Sequence, residues 1–284
     1  MSGKVTIAEL MAAKSENRKI VAVSCYDYTT ARLIAQTDLD MILVGDSAAQ
    51  LMLGFDSTLP AKMNFMVMIT SAVRRGAPNV CLVADMPFLS YQLGTVGAIR
   101  NAGRFVAECG AQMVKIEATG AQLDVVRAVS DAGIAVMAHI GIRPQRISRL
   151  GRLRAEATTA EMAMELIDLS KQMVNAGAGA LLLEGTADEV AEVITRRSDV
   201  PVISCGSGVG CDGQILIAPD ILGLTDGPKP KFSKAYFNMA QAAMDAFSAY
   251  SKEVKEGRFP DAEHSYHMKA GELDRLNELL KARA

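Results

Sequence analysis

Carboxylates recur in this sequence at or just after the ends of short apolar stretches. They are Asp46, Asp85, Glu117 and Glu184. Any one of them, following a buried strand, can be interpreted as a residue that begins a turn or caps a helix. Several at one edge of a sheet would repel one another unless a positive group compensates them. Because carboxylate oxygens suit a hard divalent cation, the pattern favours Mg²⁺, with Asp46, Asp85 and Glu117 as its candidate ligands.

Two basic side chains accompany these carboxylates. Lys115 stands two residues before Glu117, so both would share one face of a strand. They could form a structural ion pair, or a clamp for a ligand carboxylate beside a metal ligand. His139 can be interpreted as a core histidine bonded to the backbone, although its place at a predicted strand end favours substrate contact. Glu184 follows the apolar run Leu181–Leu183, a setting suited to a general base.

Eight apolar stretches, most of them separated by segments of helical periodicity, organise these residues. Strands that alternate with helices predict a parallel sheet, and eight within about 200 residues predict a closed (β/α)8 TIM-type barrel. The active site of such a barrel lies at the C-terminal ends of the strands, where the candidate residues are. The predicted strands are Ile20–Cys25, Asp40–Val44, Val80–Asp85, Gln112–Glu117, Ile134–His139, Gly179–Glu184, Val200–Ser204 and one within Ile215–Leu224.

Helices are predicted between the strands and at both ends of the chain. We expect a single barrel domain over residues 1–284, with an N-terminal helix over Thr6–Lys14 and a helical C-terminal extension over residues 232–284. The segment Gly141–Ala157 has no clear periodicity and is predicted as a long loop. The other predicted helices are Thr29–Gln36, Lys62–Arg75, Gly94–Cys109, Ala121–Ala132, Thr159–Ala176, Ala187–Arg197, Phe232–Glu256 and Glu272–Arg283.

The charge and the cysteine content argue against several classes of protein. Lys and Arg number 30 against 32 Asp and Glu, and this balance predicts no nucleic-acid partner. The five cysteines are odd in number and lack Cys-x-x-Cys spacing, which favours free thiols in a reducing cytoplasm. No apolar run approaches the roughly 18 residues of a membrane span, and no apolar leader is seen, so we expect a cytoplasmic protein without a membrane partner.

One glycine-rich motif suggests a function that its context does not support. Gly208–Gly213 matches the G-x-G-x-x-G pattern of dinucleotide-binding proteins. It follows the seventh predicted strand rather than the first, and no acidic strand end lies at the required later position. We therefore discount NAD binding and expect close approach of the backbone to a substrate at this turn.

Short motifs occur in a characteristic order along the chain. They are Cys25–Tyr28, Val44–Ser47, Gly54–Pro60, Ala72–Gly76, Ala84–Phe88, Ser90–Gln92, Val114–Glu117, His139–Gly141, Pro144–Gln145, Leu183–Glu184, Cys211–Gln214, Pro230–Phe232 and Glu263–Ser265. In these motifs the sequence resembles the ketopantoate hydroxymethyltransferase family, of the phosphoenolpyruvate mutase/isocitrate lyase-like barrels. An ordered series of this length is far more specific than any single motif.

The resemblance implies a chemistry and a role for each candidate residue. The reaction would be a Mg²⁺-dependent, class II aldol-type transfer of a hydroxymethyl group from 5,10-methylenetetrahydrofolate to 3-methyl-2-oxobutanoate, in pantothenate biosynthesis. Asp46, Asp85 and Glu117 would surround the metal, and Glu184 would accept the proton. A homo-oligomer, a decamer of dimers, is also implied. The residues that would contact the 2-oxo acid are Asp46, Ser47, Asp85, Lys115 and His139.

Several positions depart from the residues usual in that family, namely Ala48-Ala49, Ala138, Gly151–Ala157 and Pro219. They leave open a divergent paralogue, a Mg²⁺-dependent aldolase or C–C lyase acting on another 2-oxo acid. Two further hypotheses are a metal-free aldolase in which Lys115 forms a Schiff base, and a barrel that only binds a ligand.

Overall fold

Eight parallel strands close into a barrel in the order in which they occur along the chain. The computed structural model describes residues 4–225, 227 and 229–283. The strands are β1 (Ile20–Ser24), β2 (Met41–Val44), β3 (Cys81–Asp85), β4 (Met113–Glu117), β5 (Val136–Gly141), β6 (Ala178–Glu184), β7 (Val202–Cys205) and β8 (Gly213–Ile217). The predicted (β/α)8 barrel is therefore confirmed.

The α-helices surround this barrel, follow its loops or lie at the two ends of the chain. Short 3₁₀ turns precede two of them, at Gly120–Gln122 and Pro144–Arg146. The α-helices of the described residues are α1 (Ile7–Ser15), α2 (Tyr28–Ile34), α3 (Ala48–Leu51), α4 (Met63–Gly76), α5 (Thr95–Cys109), α6 (Leu123–Asp131), α7 (Ile147–Leu150), α8 (Ala160–Asn175), α9 (Asp188–Arg197), α10 (Ala218–Leu222), α11 (Met239–Lys255) and α12 (Glu272–Lys281).

The predicted bounds of β5 and β8 are wrong. Strand β5 continues past His139 to Gly141, so the histidine lies inside the strand rather than at its end. Strand β8 begins at Gly213, ahead of the predicted stretch, and residues 218–222 form helix α10. Gly213 pairs with Ile20, and a Cβ at Gly213 would lie 2.5 Å from the Ile20 carbonyl oxygen. A residue that looked like part of a turn is therefore the close contact that closes the barrel.

The predicted loop over residues 141–157 also contains regular structure. Pro144 opens a 3₁₀ turn, and helix α7 follows directly. Both elements are too short to give a readable periodicity, which is why the sequence pattern indicated a loop. The turn places Gln145 in a buried position above the strand ends.

Helix α1 contributes to the barrel interior. Thr6 and Glu9 form a reciprocal capping box that fixes where the helix begins. Leu10 and Ala13 are buried in the same apolar cluster as Met41 on β2. The N-terminal ends of the strands are thereby covered by apolar packing.

Along strands β3 to β6, the interior of the barrel changes from apolar to charged. Side chains of a strand alternate between its two faces, so every second residue points inward. Inward residues near the middle of the strands form an apolar cluster that includes Val83, Met113, Met137 and Leu182. Two residues further along each strand, the next inward positions are Asp85, Lys115, His139 and Glu184, and Glu117 follows Lys115 by the same step. The strand period therefore directs all five side chains into the C-terminal end of the barrel interior, and this group is called the charged layer below.

The chain divides into two compact units, one through Tyr236 and one from Phe237 onward. The second unit contains α11 and α12, and neither helix buries a residue fully. The predicted helix over Phe232–Glu256 thus begins later, at Met239, with Asn238 as its cap. The division into one barrel domain with an extension over residues 232–284 stays a prediction. No helix in the described ranges has the length and apolarity needed to cross a bilayer.

Candidate active site

Asp85 and Lys115 form the ion pair at the centre of the charged layer. Lys115 Nζ lies 2.8 Å from Asp85 Oδ2, and the two residues are paired in register on neighbouring strands. The same oxygen accepts a hydrogen bond of 2.9 Å from the backbone N–H of Asp46. The other oxygen, Asp85 Oδ1, is buried and has no hydrogen-bond partner in the described part of the chain. A buried carboxylate oxygen without a partner is costly unless a ligand contacts it.

The buried charges shift each other's pKa. Burial and the neighbouring charge of Asp46 raise the pKa of Asp85, although Lys115 opposes this shift. Burial alone would lower the pKa of Lys115, but the carboxylates of Asp85, Asp46 and Glu117 outweigh it and raise that pKa. The ion pair with Asp85, at 2.8 Å, favours the protonated amine, which cannot attack a carbonyl. This pairing argues against the Schiff-base hypothesis.

Gln145, from the 3₁₀ turn after β5, contacts two of the predicted metal ligands. Its side-chain Nε2 donates a hydrogen bond of 2.8 Å to Asp46 Oδ2. Its backbone N–H lies 3.2 Å and 3.1 Å from the two carboxylate oxygens of Glu117. Tyr91 in turn donates to Gln145 Oε1 at 2.7 Å, which fixes the orientation of the amide. Two carboxylates from separate strands are thus held by one loop residue.

Ser47 is held by a buried tyrosine. Tyr26 Oη and Ser47 Oγ lie 2.8 Å apart. A Cβ at Gly45 would lie 2.9 Å from Ser47 Oγ and 3.9 Å from Asp85 Oδ2, so both groups lie near the same glycine. Glycine at this position avoids a close contact with the Ser47 hydroxyl.

His139 bridges Lys115 and Glu184. Its Nδ1 lies 3.4 Å from Lys115 Nζ, and its Nε2 lies 3.3 Å from Glu184 Oε2, close to that oxygen but not aligned as a hydrogen bond. Burial and the positive charge of Lys115 lower the pKa of His139. Because the lysine can only donate, a neutral ring accepts at Nδ1 and carries its proton on Nε2, toward Glu184. The histidine thereby connects the ion pair to the carboxylate at the end of β6.

The structure brings the predicted site residues together. Asp46, Asp85, Lys115, Glu117, His139 and Glu184 belong to one network of contacts, and Ser47 adjoins it. Sequence reasoning missed the supporting residues Tyr26, Tyr91 and Gln145 as parts of the site. They belong to the motifs Cys25–Tyr28, Ser90–Gln92 and Pro144–Gln145. The local sequence around a polar loop residue does not indicate which carboxylate its side chain will contact.

The donor set suits Mg²⁺ held partly by other oxygens. Within residues 4–225, 227 and 229–283, no three Asp, Glu, His or Cys side chains converge closely enough to hold a metal ion unaided. Mg²⁺ usually takes one or two carboxylates together with water and substrate oxygens, so a complete protein cage is not required. Among the described residues, Asp85 Oδ1 has no hydrogen-bond partner and could make such a bond. Of the two carboxylate oxygens of Asp46, the one that Gln145 contacts is Oδ2. That Asp46, Asp85 and Glu117 hold the metal stays a prediction with which these residues are compatible.

The sequence is similar to one family along nearly its whole length. Residues 4–262 match the family model described as ketopantoate hydroxymethyltransferase. A 3-methyl-2-oxobutanoate hydroxymethyltransferase from Hyperthermus butylicus is 44% identical over 281 residues, which cover 99% of this chain and 97% of that protein. The protein of that name from Clostridium novyi is 41% identical and covers 96% of this chain and 99% of its own length.

Solved structures share the fold at much lower identity. The 2,3-dimethylmalate lyase, a PEP mutase/isocitrate lyase superfamily member, superposes with a TM-score of 0.59 at 18% identity, covering 100% of this chain and 99% of its own. A phosphonopyruvate hydrolase in complex with oxalate and Mg²⁺ gives a TM-score of 0.57 at 14% identity, covering 98% of this chain and 97% of its own. At these identities the likeness concerns the barrel alone.

Proposed function

The chain belongs to the ketopantoate hydroxymethyltransferase family and is a hydroxymethyltransferase, and from that premise we propose that it transfers the hydroxymethyl group from 5,10-methylenetetrahydrofolate to 3-methyl-2-oxobutanoate with the help of Mg²⁺. The product is 2-dehydropantoate, an intermediate of pantothenate biosynthesis. The observation that carries the proposal is the buried Asp85, whose Oδ2 pairs with Lys115 while its Oδ1 stays free for a cation.

The proposed metal site consists of Asp46, Asp85 and Glu117. Asp85 Oδ1 offers the free buried oxygen, while Gln145 orients the other two carboxylates. Mg²⁺ bound there would polarise the keto group of the oxo acid and so make the proton on the adjacent carbon, C3, more acidic. A solved barrel of the same fold, phosphonopyruvate hydrolase, contains Mg²⁺ together with the small diacid oxalate, which supports this assignment.

The 2-oxo acid would be held by the charged layer. The ammonium group of Lys115 can donate a charge-assisted hydrogen bond to the substrate carboxylate while it remains paired with Asp85. Ser47 Oγ, fixed by Tyr26, offers a further hydroxyl beside that pair. Asp46 and His139, which both adjoin Lys115 or its partner, complete the proposed contacts.

Glu184 is the proposed general base. Its side chain is 20% exposed, so it can reach a substrate, and its Oε2 lies 3.3 Å from His139 Nε2. In the proposed reaction Glu184 takes the C3 proton, and C3 forms a carbon–carbon bond with the one-carbon unit. Water supplies the hydroxyl oxygen, both carbon–nitrogen bonds to the folate break, and tetrahydrofolate leaves with the protons it requires.

The test is turnover by the purified protein. We expect ¹H NMR to show 2-dehydropantoate formed from 3-methyl-2-oxobutanoate and 5,10-methylenetetrahydrofolate, with loss of activity in EDTA and recovery in Mg²⁺. A parallel set of 2-oxo acids with other side chains tests the substrate. No product from 3-methyl-2-oxobutanoate, with turnover of another member of the set, would overturn the substrate part of the proposal.

We further propose that the protein works in the cytoplasm as a homo-oligomer built of dimers. Within the second unit, helix α11 exposes Phe247, Tyr250 and Val254, which share a helical face, and such a face is suited to an interface between copies. Light scattering after size-exclusion chromatography measures the mass, and a monomer at micromolar concentration would contradict this part.

A further inference from the structure

A cavity of about 700 Å³ opens beside the proposed base. It is lined by Glu184 at the end of β6, by residues of the loop after β5, and by residues 230–232. A second cavity, beside Glu117 and Gln145, has about 270 Å³. Binding sites for molecules of drug size usually measure some 300–1,000 Å³, so the larger cavity is the one with room for a bulky co-substrate.

The walls of this cavity are mostly apolar and include two basic side chains. The basic residues are Arg154, in the loop after β5, and Lys231. In the described part of the chain neither side chain makes a hydrogen bond or an ion pair. Two unpaired cations beside an apolar cavity fit a ligand with flat rings and an anionic tail. The apolar lining residues are Ile142, Leu153, Ala155, Pro230 and Phe232.

Both loops are anchored close to the cavity. Glu156 pairs with Thr186 in an isolated parallel bridge, and Arg143 forms a salt bridge of 2.9 Å with Glu156. Arg154 stands two residues from this anchor. Phe232, which also lines the cavity, lies against Gly206, where a Cβ would come within 2.2 Å of the phenyl ring. Gly206 has a φ of +72°, so glycine is required there for both the backbone and the ring.

We propose that this cavity binds the reduced folate, with its pterin and p-aminobenzoyl rings between the apolar walls and its glutamate carboxylates at Arg154 and Lys231. The inference rests on the proposed function, since it assigns a site to the one-carbon donor. It places the methylene carbon next to Glu184, the residue that would remove the proton from C3. The loop Gly151–Ala157 would then help to select the one-carbon donor, because it contains Arg154.

The test measures binding of a stable reduced folate, 5-formyltetrahydrofolate, by titration calorimetry in the presence of Mg²⁺. The Arg154→Ala and Lys231→Ala variants should each bind about tenfold more weakly, because each loses a charge-assisted contact. The same titrations with 5-formyltetrahydropteroate, which lacks the glutamate, should show little difference between wild type and these variants. Phe232→Ala should weaken the binding of both ligands to the same extent. Melting temperatures check that each variant folds.

Arg152→Ala is the matched control, since Arg152 is exposed in the same loop and does not line the cavity. It should bind both ligands as the wild type does. If the wild type binds folate and forms product while Arg154→Ala and Lys231→Ala bind both ligands normally, the cavity assignment is wrong and the proposed function stands. If the wild type binds no folate yet forms product from formaldehyde, the donor in the proposed function is wrong, and the assignment falls with it.

Discussion

Gln145 Nε2 lies 2.8 Å from Asp46 Oδ2, and both side chains are buried. The backbone N–H of the same glutamine lies 3.1 Å from Glu117 Oε2. The loop after β5 therefore fixes two carboxylates that come from the ends of β2 and β4. A metal site built from side chains on separate strands depends on such outer contacts, because they orient the ligands before the cation arrives.

Gln145→Ala should weaken Mg²⁺ binding by roughly tenfold or more, the range usual for loss of an outer contact to a metal ligand. The substitution leaves Asp46 Oδ2 without its donor but keeps the backbone N–H that faces Glu117. Titration calorimetry with Mg²⁺ measures the change. Gln214→Ala is the control, since that exposed glutamine bonds only to the Gly208 carbonyl. Equal Mg²⁺ affinity in the wild type and Gln145→Ala would contradict this role.

Tyr26→Phe should raise the KM for the oxo acid by about three- to tenfold, the worth of one neutral hydrogen bond, because Ser47 Oγ loses the partner that orients it. Steady-state kinetics at saturating folate measure KM and kcat separately. Tyr28→Phe serves as the control, since Tyr28 is 45% exposed. The double variant with Tyr26→Phe and Ser47→Ala should raise KM little more than Ser47→Ala does alone. If the two substitutions instead change the free energy of binding additively, the two hydroxyls act independently.

Lys115→Met should destabilise the protein by roughly 3–5 kcal/mol, because it leaves the buried carboxylate of Asp85 without its cation. Urea unfolding in the absence of Mg²⁺ gives the free energy of unfolding. Adding Asp85→Asn to Lys115→Met should restore much of the lost free energy of unfolding, because the uncompensated charge is then removed as well. A double variant that is less stable than Lys115→Met alone would argue against the ion pair.

The protonated state of Lys115 has a separate consequence for the chemistry. Borohydride added with 3-methyl-2-oxobutanoate should trap no adduct, since the neighbouring carboxylates raise the pKa of this amine and keep it from forming an imine. Intact-mass spectrometry detects any reduced adduct. A mass increase at Lys115 that persists in EDTA would restore the Schiff-base hypothesis.

The five cysteines should react slowly with a disulfide reagent in the folded protein at pH 8. The thiolate is the reactive form, and burial raises the pKa of Cys25 to about 11 and that of Cys81 to about 12. Burial also raises the pKa of Cys109, Cys205 and Cys211, and the charge of Glu184 adds to the shift at Cys205. The reagent should count all five thiols only in denaturant. Rapid reaction in the native state of any of the four buried thiols, those of Cys25, Cys81, Cys109 and Cys211, would contradict this prediction.

The sequence was sufficient to predict the barrel and the residues of its charged layer. Strands such as Cys81–Asp85 are buried along their whole length, so they read as continuous apolar runs that end in a charge. The strand period then directs Asp85 and Lys115 to one side. What could not be predicted depends on contacts between distant loops. Gln145 meets Asp46 across 99 positions of sequence, and nothing local to either residue indicates that contact.

The boundary errors have a similar origin. His139 was expected at the end of β5, but the strand continues because Gly141 pairs with Glu184 on β6. Gly141 has a φ of +91°, and a Cβ there would lie 2.4 Å from the Glu184 carbonyl oxygen. A glycine that local pattern assigns to a loop thus extends the strand, because its partner lies close.

The proposed reaction depends on Glu184 removing the C3 proton in a metal-dependent step. That step can be observed without any one-carbon donor, as exchange of the C3 proton of 3-methyl-2-oxobutanoate for deuterium in D₂O, followed by ¹H NMR. The wild type with Mg²⁺ should catalyse the exchange, and EDTA should abolish it. Glu184→Gln should slow it by about 10²- to 10⁴-fold, the usual worth of a general base, while exposed Glu189→Gln on α9 should not. Exchange by Glu184→Gln at the wild-type rate, or exchange that persists in EDTA, would contradict the account.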